Sequence, residues 1–144
     1  MYFDERLSSI SADGDSAFWI GSEAGDIWYM KQRRLQPYNI GADRIYKVVT
    51  DSVLSDVRIC WIGIRNSGLQ KWALGEENVR LVEKYPICNK GCNYSVYDIL
   101  LTDKKVYVAT SQGLYAMSHS EKDSLKLIFL QITVKQHVPV SRLS

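Results

Sequence analysis

The strongest constraint on this chain is a phrase that occurs three times. Each copy places an apolar strand ending in Asp before an aromatic-centred strand, then a polar turn ending in Gly and another apolar strand. The central aromatic residues lie 42 and 46 residues apart: Trp19, Trp61 and Tyr107. The turn glycines lie 43 and 45 residues apart: Gly25, Gly68 and Gly113. This period is typical of one four-stranded propeller blade.

Turn-forming residues divide each copy into four short apolar runs, and no stretch shows helical periodicity. The pattern predicts strands over residues 7–12, 17–22, 26–31 and 35–40, then 45–50, 57–65, 69–74 and 79–85, then 96–102, 105–110, 114–118 and 125–133. Pro37 is compatible with the fourth strand only if that strand is a sheet edge. The basic cluster at residues 31–34 is interpreted as a solvated turn.

The second strand of each copy predicts how the sheets pack. In residues 60–64, Trp61 and Gly63 lie on one face and Cys60, Ile62 and Ile64 on the other, so both faces are apolar and both must be covered. A small residue recurs two positions after the aromatic residue: Gly21, Gly63 and Ala109. Such a position suits close approach by a neighbouring sheet. Four-stranded sheets packed face to face in sequence order describe a β-propeller.

The predicted fold is therefore an all-β, partial β-propeller of about three four-stranded antiparallel blades, cut from a larger repeat array. We expect blades over about residues 5–40, 44–85 and 95–133. Residues 134–144 are expected to form a tail and the start of a further blade, because 141–144 resemble 5–8. A ring needs about four to eight blades. Two uncovered apolar end faces predict self-association if the segment exists alone.

Composition excludes some functions. Eighteen basic and sixteen acidic residues give a net charge of +2, which does not predict a nucleic-acid partner. The longest apolar stretch, residues 125–134, is far shorter than the ~20 residues of a transmembrane helix. Neither histidine, His119 or His137, stands in a pattern that sets a nucleophile beside a base, so we expect no enzyme activity in this segment and no cofactor.

The remaining chemical residues favour structural roles. Cys60 is expected to be a small buried hydrophobic residue. Cys88 and Cys92 are close enough in sequence to form a disulfide, but the sequence does not decide whether they do. The two histidines are eighteen residues apart, outside the usual zinc-finger spacing, so no metal site is predicted. The aspartates that end the first strands are expected to accept backbone hydrogen bonds in turns: Asp13, Asp51 and Asp103.

If a ligand binds, propeller geometry favours the mouth formed by the turns between second and third strands and the connections between blades. The candidate ligand-binding residues there are Glu23, Arg65, Asn66, Gln112 and Tyr94. Amides, an aromatic ring and one Arg suit a small polar ligand such as an oligosaccharide. The alternative is that each of them only caps its turn.

The order of these residues resembles the two-component regulator propeller repeat, found in the sensor regions of bacterial hybrid histidine kinases. The matching segments are Trp19-Ile20-Gly21-Ser22, Trp61-Ile62-Gly63 with Gly68-Leu69, and Tyr107-Val108-Ala109-Thr110 with Gly113-Leu114-Tyr115. The third copy departs by having Tyr107 and Ala109 in place of Trp and Gly. The resemblance implies a periplasmic sensing role, as part of an inner-membrane sensor. The alternatives are a scaffold for protein–protein interaction and a piece of a propeller enzyme whose active residues lie elsewhere.

Overall fold

A computed structural model describes residues 3–87 and 93–118, together with the backbone of 126–127. These residues form strands joined by turns, so the expected all-β class is confirmed. No helix in the described part of the chain is long and apolar enough to cross a bilayer.

Twelve strands form three antiparallel sheets of four, each in sequence order from one edge to the other. Sheet 1 contains β1 (Leu7–Asp13), β2 (Ala17–Ser22), β3 (Asp26–Lys31) and β4 (Arg34–Asn39). Sheet 2 contains β5 (Ile45–Leu54), β6 (Val57–Ile64), β7 (Gly68–Leu74) and β8 (Val79–Tyr85). Sheet 3 contains β9 (Val96–Leu101), β10 (Lys105–Thr110), β11 (Gly113–Ser118) and β12 (Lys126–Leu127).

The strand predictions are confirmed to within about one residue at most ends, with one clear exception. Strand β5 continues to Leu54, four residues beyond the predicted end, and pairs with β6 down to Val57. A register shift between Thr50 and Ser52 takes up Asp51, so the residues inserted in this copy extend the hairpin instead of forming a loop. The predicted strand over 125–133 falls largely outside the described residues.

Each of the three sheets has a β-bulge at the same place in its first strand, and these bulges identify the equivalent residues of the three sheets. In each sheet the first strand shifts register against the second just after its first residue, and the residues at that point are Leu7, Ile45 and Val96. The pairing that follows aligns Ile10 with Val48 and Ile99 in the same way. The sequence repeat is therefore also a repeat of backbone geometry, because a bulge sets the local twist of its strand.

The sheets pack against each other in sequence order through two apolar clusters. One cluster joins sheets 1 and 2 around Trp19, Ile45 and Ile62, and the other joins sheets 2 and 3 around Trp61, Val96 and Val108. Trp19 and Trp61 are fully buried in matching places. Tyr107 is only half-buried, because no further sheet lies against it in the described part of the chain.

Gly21 and Gly63 mark where the next sheet comes closest, as predicted. A Cβ atom on Gly21 would lie 2.5 Å from Cγ2 of Ile45, and one on Gly63 would lie 2.7 Å from Cγ1 of Val96. Both contacts are shorter than carbon atoms allow, so a side chain is excluded at both positions. Ala109, the matching residue of sheet 3, is exposed.

The β3–β4 turn confirms that the basic cluster is solvated. Gln32 and Arg33 have φ angles of 51° and 64°, which is the backbone of a type I′ hairpin turn. Their side chains are exposed. Pro37 lies in β4, at the edge of sheet 1, where its missing N–H breaks no ladder. Within the described residues, none of the three sheets closes on itself.

Candidate functional site

In each sheet, the turn after the second strand lies beside the segment that precedes the first strand. We call this end of the sheet the loop end. The backbone N–H groups of Glu23, Arg65 and Ser111 donate to the carbonyl oxygens of Arg6, Arg44 and Ser95, at 2.8, 2.9 and 3.0 Å respectively. The sequence placed its candidate ligand residues in this combination of turns and connections. The structure does bring these segments together.

Polar contacts at the loop end also join neighbouring sheets. Arg44, in the connection between sheets 1 and 2, donates from Nη2 to Oε1 of Glu23 at 2.9 Å. Ser95, in the connection between sheets 2 and 3, accepts the N–H of Asn66 on its Oγ at 2.9 Å. Glu23 is therefore paired within the chain, and Asn66 is held by its backbone with its side chain exposed.

A cleft of about 340 Å³ opens at the loop end of sheet 2, beside the connection to sheet 3, and we call it the amide cleft. Its lining residues are Asn66, Ser67, Gln70, Lys84, Tyr85, Pro86, Asn93 and Tyr94. The side-chain amides of Asn66 and Asn93 carry both donors and acceptors. Lys84 is the single charged residue among the described residues of the lining.

Gln70 is a lining residue of the amide cleft, and its side chain lies on the face of sheet 2 that is turned toward sheet 1, because it pairs with Ile62. Its Oε1 accepts the indole N–H of Trp72 at 2.8 Å, and its Nε2 lies 3.5 Å from the carbonyl oxygen of Ser67. The first bond uses the acceptor of the amide, while the second is long and leaves Nε2 available as a donor. The side chain is therefore oriented before any ligand arrives.

Tyr94 also lines the amide cleft and ties the connection between sheets 2 and 3 to sheet 2. Its hydroxyl accepts the N–H of Leu69 at 3.0 Å and donates to the carbonyl oxygen of Tyr85. Its ring fills the space above Gly68, where a Cβ atom would lie 2.3 Å from Cε1. Because its hydroxyl is occupied by the backbone, Tyr94 offers a ligand its ring and not a free hydrogen bond.

Two of the five predicted ligand residues line the amide cleft: Asn66 and Tyr94. Arg65 and Gln112 lie exposed on their own turns, and Glu23 is paired with Arg44. Sequence reasoning missed Gln70, Lys84 and Tyr85. The sequence did contain an indication of Gln70, because it is a polar residue at a buried position of an otherwise apolar strand, β7.

Burial makes the phenols of the amide cleft weak acids. Burial raises the pKa of Tyr94 to about 12, and burial together with the nearby Glu83 carboxylate raises that of Tyr85 to about 12. An unfolded tyrosine ionises near pH 10. The folded state therefore holds these protons more tightly, which stabilises it below pH 10, and this stabilisation is lost as the pH rises through 12.

We expect the free energy of unfolding to fall steeply between pH 10 and 12. Tyr94→Phe should lower it by about 1–3 kcal/mol at pH 7, because the N–H of Leu69 is left without its acceptor. The same variant should flatten the alkaline decline, because one raised pKa is removed. Urea titrations at several pH values, with tyrosinate absorbance, measure both effects. An identical alkaline decline in wild type and variant would contradict this assignment.

Asp13 and Asp51 contact side chains of the third strands, and Asp51 lies within β5 instead of at the predicted strand end. The expectation that Asp103 accepts backbone hydrogen bonds in its turn stays a prediction. Oδ2 of Asp13 accepts the hydroxyl of Tyr29 at 2.5 Å and lies 3.8 Å from Nε of Arg58, whose guanidinium lies 4.0 Å from the centre of the Tyr29 ring. Oδ2 of Asp51 lies 3.5 Å from Nζ of Lys71. Residues 3–87 and 93–118 contain no group of three His, Cys, Asp or Glu residues placed to hold a metal ion.

Cys60 is buried and unbridged, as predicted, and burial raises the pKa of its thiol. The thiol is therefore protonated at neutral pH and unreactive. Cys88, Cys92, His119 and His137 lie outside the described residues, so the possible disulfide stays a prediction.

A second cleft, of about 420 Å³, lies between the β3–β4 turn and the tip of the β5–β6 hairpin. Lys31, Arg34 and Arg58 face Asp56 and Glu76 across it. Charges of both signs alternate in this lining, so it selects no single class of ligand.

No protein-family model, no curated protein and no solved structure matches this chain.

Proposed function

We propose that this chain is a non-catalytic, ligand-binding segment of a β-propeller that serves a bacterial two-component sensor in the periplasm. The observation that carries the binding part of this proposal is the amide cleft at the loop end. The sensor part rests on the resemblance of the repeated phrase to the two-component regulator propeller repeat.

Three observations support the propeller arrangement. The sheets pack in sequence order, each has four antiparallel strands in simple up-and-down order, and each carries the same bulge in its first strand. The first strands also contact one another: the rings of Tyr46 and Tyr97 meet edge to face at 5.1 Å, and Nζ of Lys47 lies 3.4 Å from Oδ1 of Asp98. In a propeller the first strands of successive blades line a common axis.

The amide cleft suits an uncharged ligand rich in hydroxyl groups, such as an oligosaccharide. Each sugar hydroxyl is both a donor and an acceptor, and the side chains of Asn66 and Asn93 offer both. The ring of Tyr85, packed at 5.3 Å on Trp61, gives an apolar surface for a sugar face. Lys84 adds one positive charge, which a single uronic acid or sulfate would match.

An oligosaccharide array tests this function. We expect the chain to bind at least one immobilised glycan from a set of neutral, uronic-acid and sulfated oligosaccharides. Asn93→Ala and Lys84→Ala should each weaken that binding about tenfold, the effect of losing about 1.4 kcal/mol. Gln36→Ala, which changes an amide in the second cleft, is the matched control and should leave the binding unchanged. Absence of binding across the array, or binding insensitive to both cleft variants, would refute the proposed function.

A second function, a scaffold for protein–protein interaction, is favoured by the outer faces of sheets 1 and 3. Ile10 on sheet 1 is 70% exposed and Leu100 on sheet 3 is 62% exposed. Large apolar side chains exposed on two opposite faces favour contact with another protein surface.

A further inference from the structure

The chain contains two interfaces between successive sheets, one between sheets 1 and 2 and one between sheets 2 and 3. The outer faces of sheets 1 and 3 are equivalent to the two sides of these interfaces. We name them the leading face, on sheet 1 (Leu7, Ile10, Phe18, Trp28), and the trailing face, on sheet 3 (Leu100, Tyr107, Ala109, Leu114). Sheets 2 and 3 each present the equivalent of the leading face to the sheet before them. Sheets 1 and 2 each present the equivalent of the trailing face to the sheet after them.

Burial differs between these matched positions because no further sheet lies against the end faces within residues 3–87 and 93–118. Leu7 is 45% exposed, whereas its equivalents Ile45 and Val96 are fully buried. Leu114 is likewise 45% exposed, whereas its equivalents Ile27 and Leu69 are fully buried. The end faces thus keep the apolar residue types of the interior interfaces.

One pair of residues indicates that the two end faces are shaped for each other. In the two internal interfaces a glycine meets a β-branched side chain, Gly21 with Ile45 and Gly63 with Val96. The matching residues of the end faces are Ala109 and Leu7. The trailing face gains a methyl group at this point, and the leading face loses the branch at Cβ. Leu7 has no counterpart of Cγ2 of Ile45, the atom that comes closest to Gly21, so the change in branching leaves room where the methyl group of Ala109 is added.

We propose that two copies of this chain associate head to tail, with the trailing face of each copy on the leading face of the other. Two copies supply six four-stranded sheets, within the range of four to eight that closes a propeller ring. Three copies would supply nine and exceed that range. The contact is heterologous, and closure at two copies prevents open filaments. This inference rests on the propeller part of the proposed function.

Light scattering across a concentration series tests the association. Wild type should have a mass twice the 16.5 kDa of one chain. Ile10→Lys, on the leading face, and Leu114→Lys, on the trailing face, should each be monomeric, because each blocks one half of the only contact type. Leu54→Lys is the matched control: it changes an exposed apolar residue at the tip of the β5–β6 hairpin and should remain dimeric.

Mixing the two monomeric variants tests the head-to-tail direction. The Ile10→Lys copy keeps its trailing face and the Leu114→Lys copy keeps its leading face, so an equimolar mixture should form a one-to-one dimer through a single intact contact. Circular dichroism of each variant should match wild type, which shows that the lysine does not unfold the sheets. A symmetric contact between like faces would leave one variant dimeric alone.

Three results would overturn the proposal: a wild type that is monomeric at every concentration, masses that grow beyond two copies, and variants that stay monomeric when mixed. Covering of the trailing face by other residues of the same chain would give the first of these results. Failure of the association proposal is distinguishable from failure of ligand binding. The oligosaccharide array measures binding at the amide cleft, whereas the mass from light scattering measures association through the end faces.

Discussion

Replacing Trp19 or Trp61 with alanine should lower the free energy of unfolding by about 3–5 kcal/mol in each case. Both indoles are fully buried between two sheets, so truncation removes apolar contacts and leaves a cavity that rigid strands cannot close. Tyr107→Ala should cost clearly less, because the same position on sheet 3 is half-buried. Chemical denaturation of the three variants under one set of conditions measures the order.

The two tryptophans should differ when phenylalanine replaces them. The indole N–H of Trp19 donates to Oγ1 of Thr50 across the sheet interface at 2.9 Å. That of Trp61 has no partner among the described residues, since Leu101 occupies the place of Thr50 in sheet 3. Trp19→Phe should therefore cost about 1 kcal/mol more than Trp61→Phe, the net value of one buried hydrogen bond. Equal costs would show that the Thr50 bond contributes nothing.

Alanine at Gly21 or Gly63 should destabilise the chain by about 1–3 kcal/mol through overpacking. The added Cβ atom would overlap Ile45 in the first case and Val96 in the second. The reverse change, Ala109→Gly on the exposed face of sheet 3, should cost no more than about 1 kcal/mol, the backbone entropy of glycine. A loss of stability at Ala109 as large as at Gly63 would contradict the close-approach assignment.

A double-mutant cycle separates the two glycines further. The overlap at Gly21 involves Cγ2 and Cβ of Ile45 and Oγ of Ser9, so Ile45→Leu, which removes Cγ2 and keeps Cβ, should recover only part of the loss in Gly21→Ala, about 1 kcal/mol. At Gly63 the carbonyl oxygen of Val96 also lies 2.7 Å from the added atom. No side-chain substitution removes this carbonyl oxygen, so Val96→Leu should not restore the stability that Gly63→Ala loses. Thermal or urea unfolding of the single and double variants gives both coupling energies.

Much of the fold could be predicted because the order of apolar and polar residues within a strand depends on which of its faces are buried. Alternation of apolar and polar residues gave strand bounds close to those observed, and the small residue after each aromatic marked the close approach at Gly21 and Gly63. The longer hairpin at β5 was missed because a bulge at Asp51 interrupts the alternation that ends a predicted strand. The bond from Tyr29 to Asp13 was not predicted, because a carboxylate at a strand end fits a turn cap and a cross-strand bond equally well.

The candidate site was only partly predictable. Sequence alone placed Asn66 and Tyr94 at the loop end, but it gave no sign of the two backbone bonds that hold the Tyr94 hydroxyl. Tyr85 was overlooked because it ends a strand that is otherwise fully exposed, with no local sign that its ring packs on Trp61. Glu23 was taken as free because its partner, Arg44, lies 21 residues away.

The amino-acid sequence by itself determined the repeat, the strands and the two apolar faces of each sheet, because these follow from the period and the apolarity of neighbouring residues. The tertiary structure alone decided which groups meet between sheets: Tyr94 over Gly68, Arg44 with Glu23, and Arg58 on Tyr29. Such contacts join residues more than twenty positions apart. Their geometry depends on the twist and stacking of whole sheets, which no short stretch of sequence records.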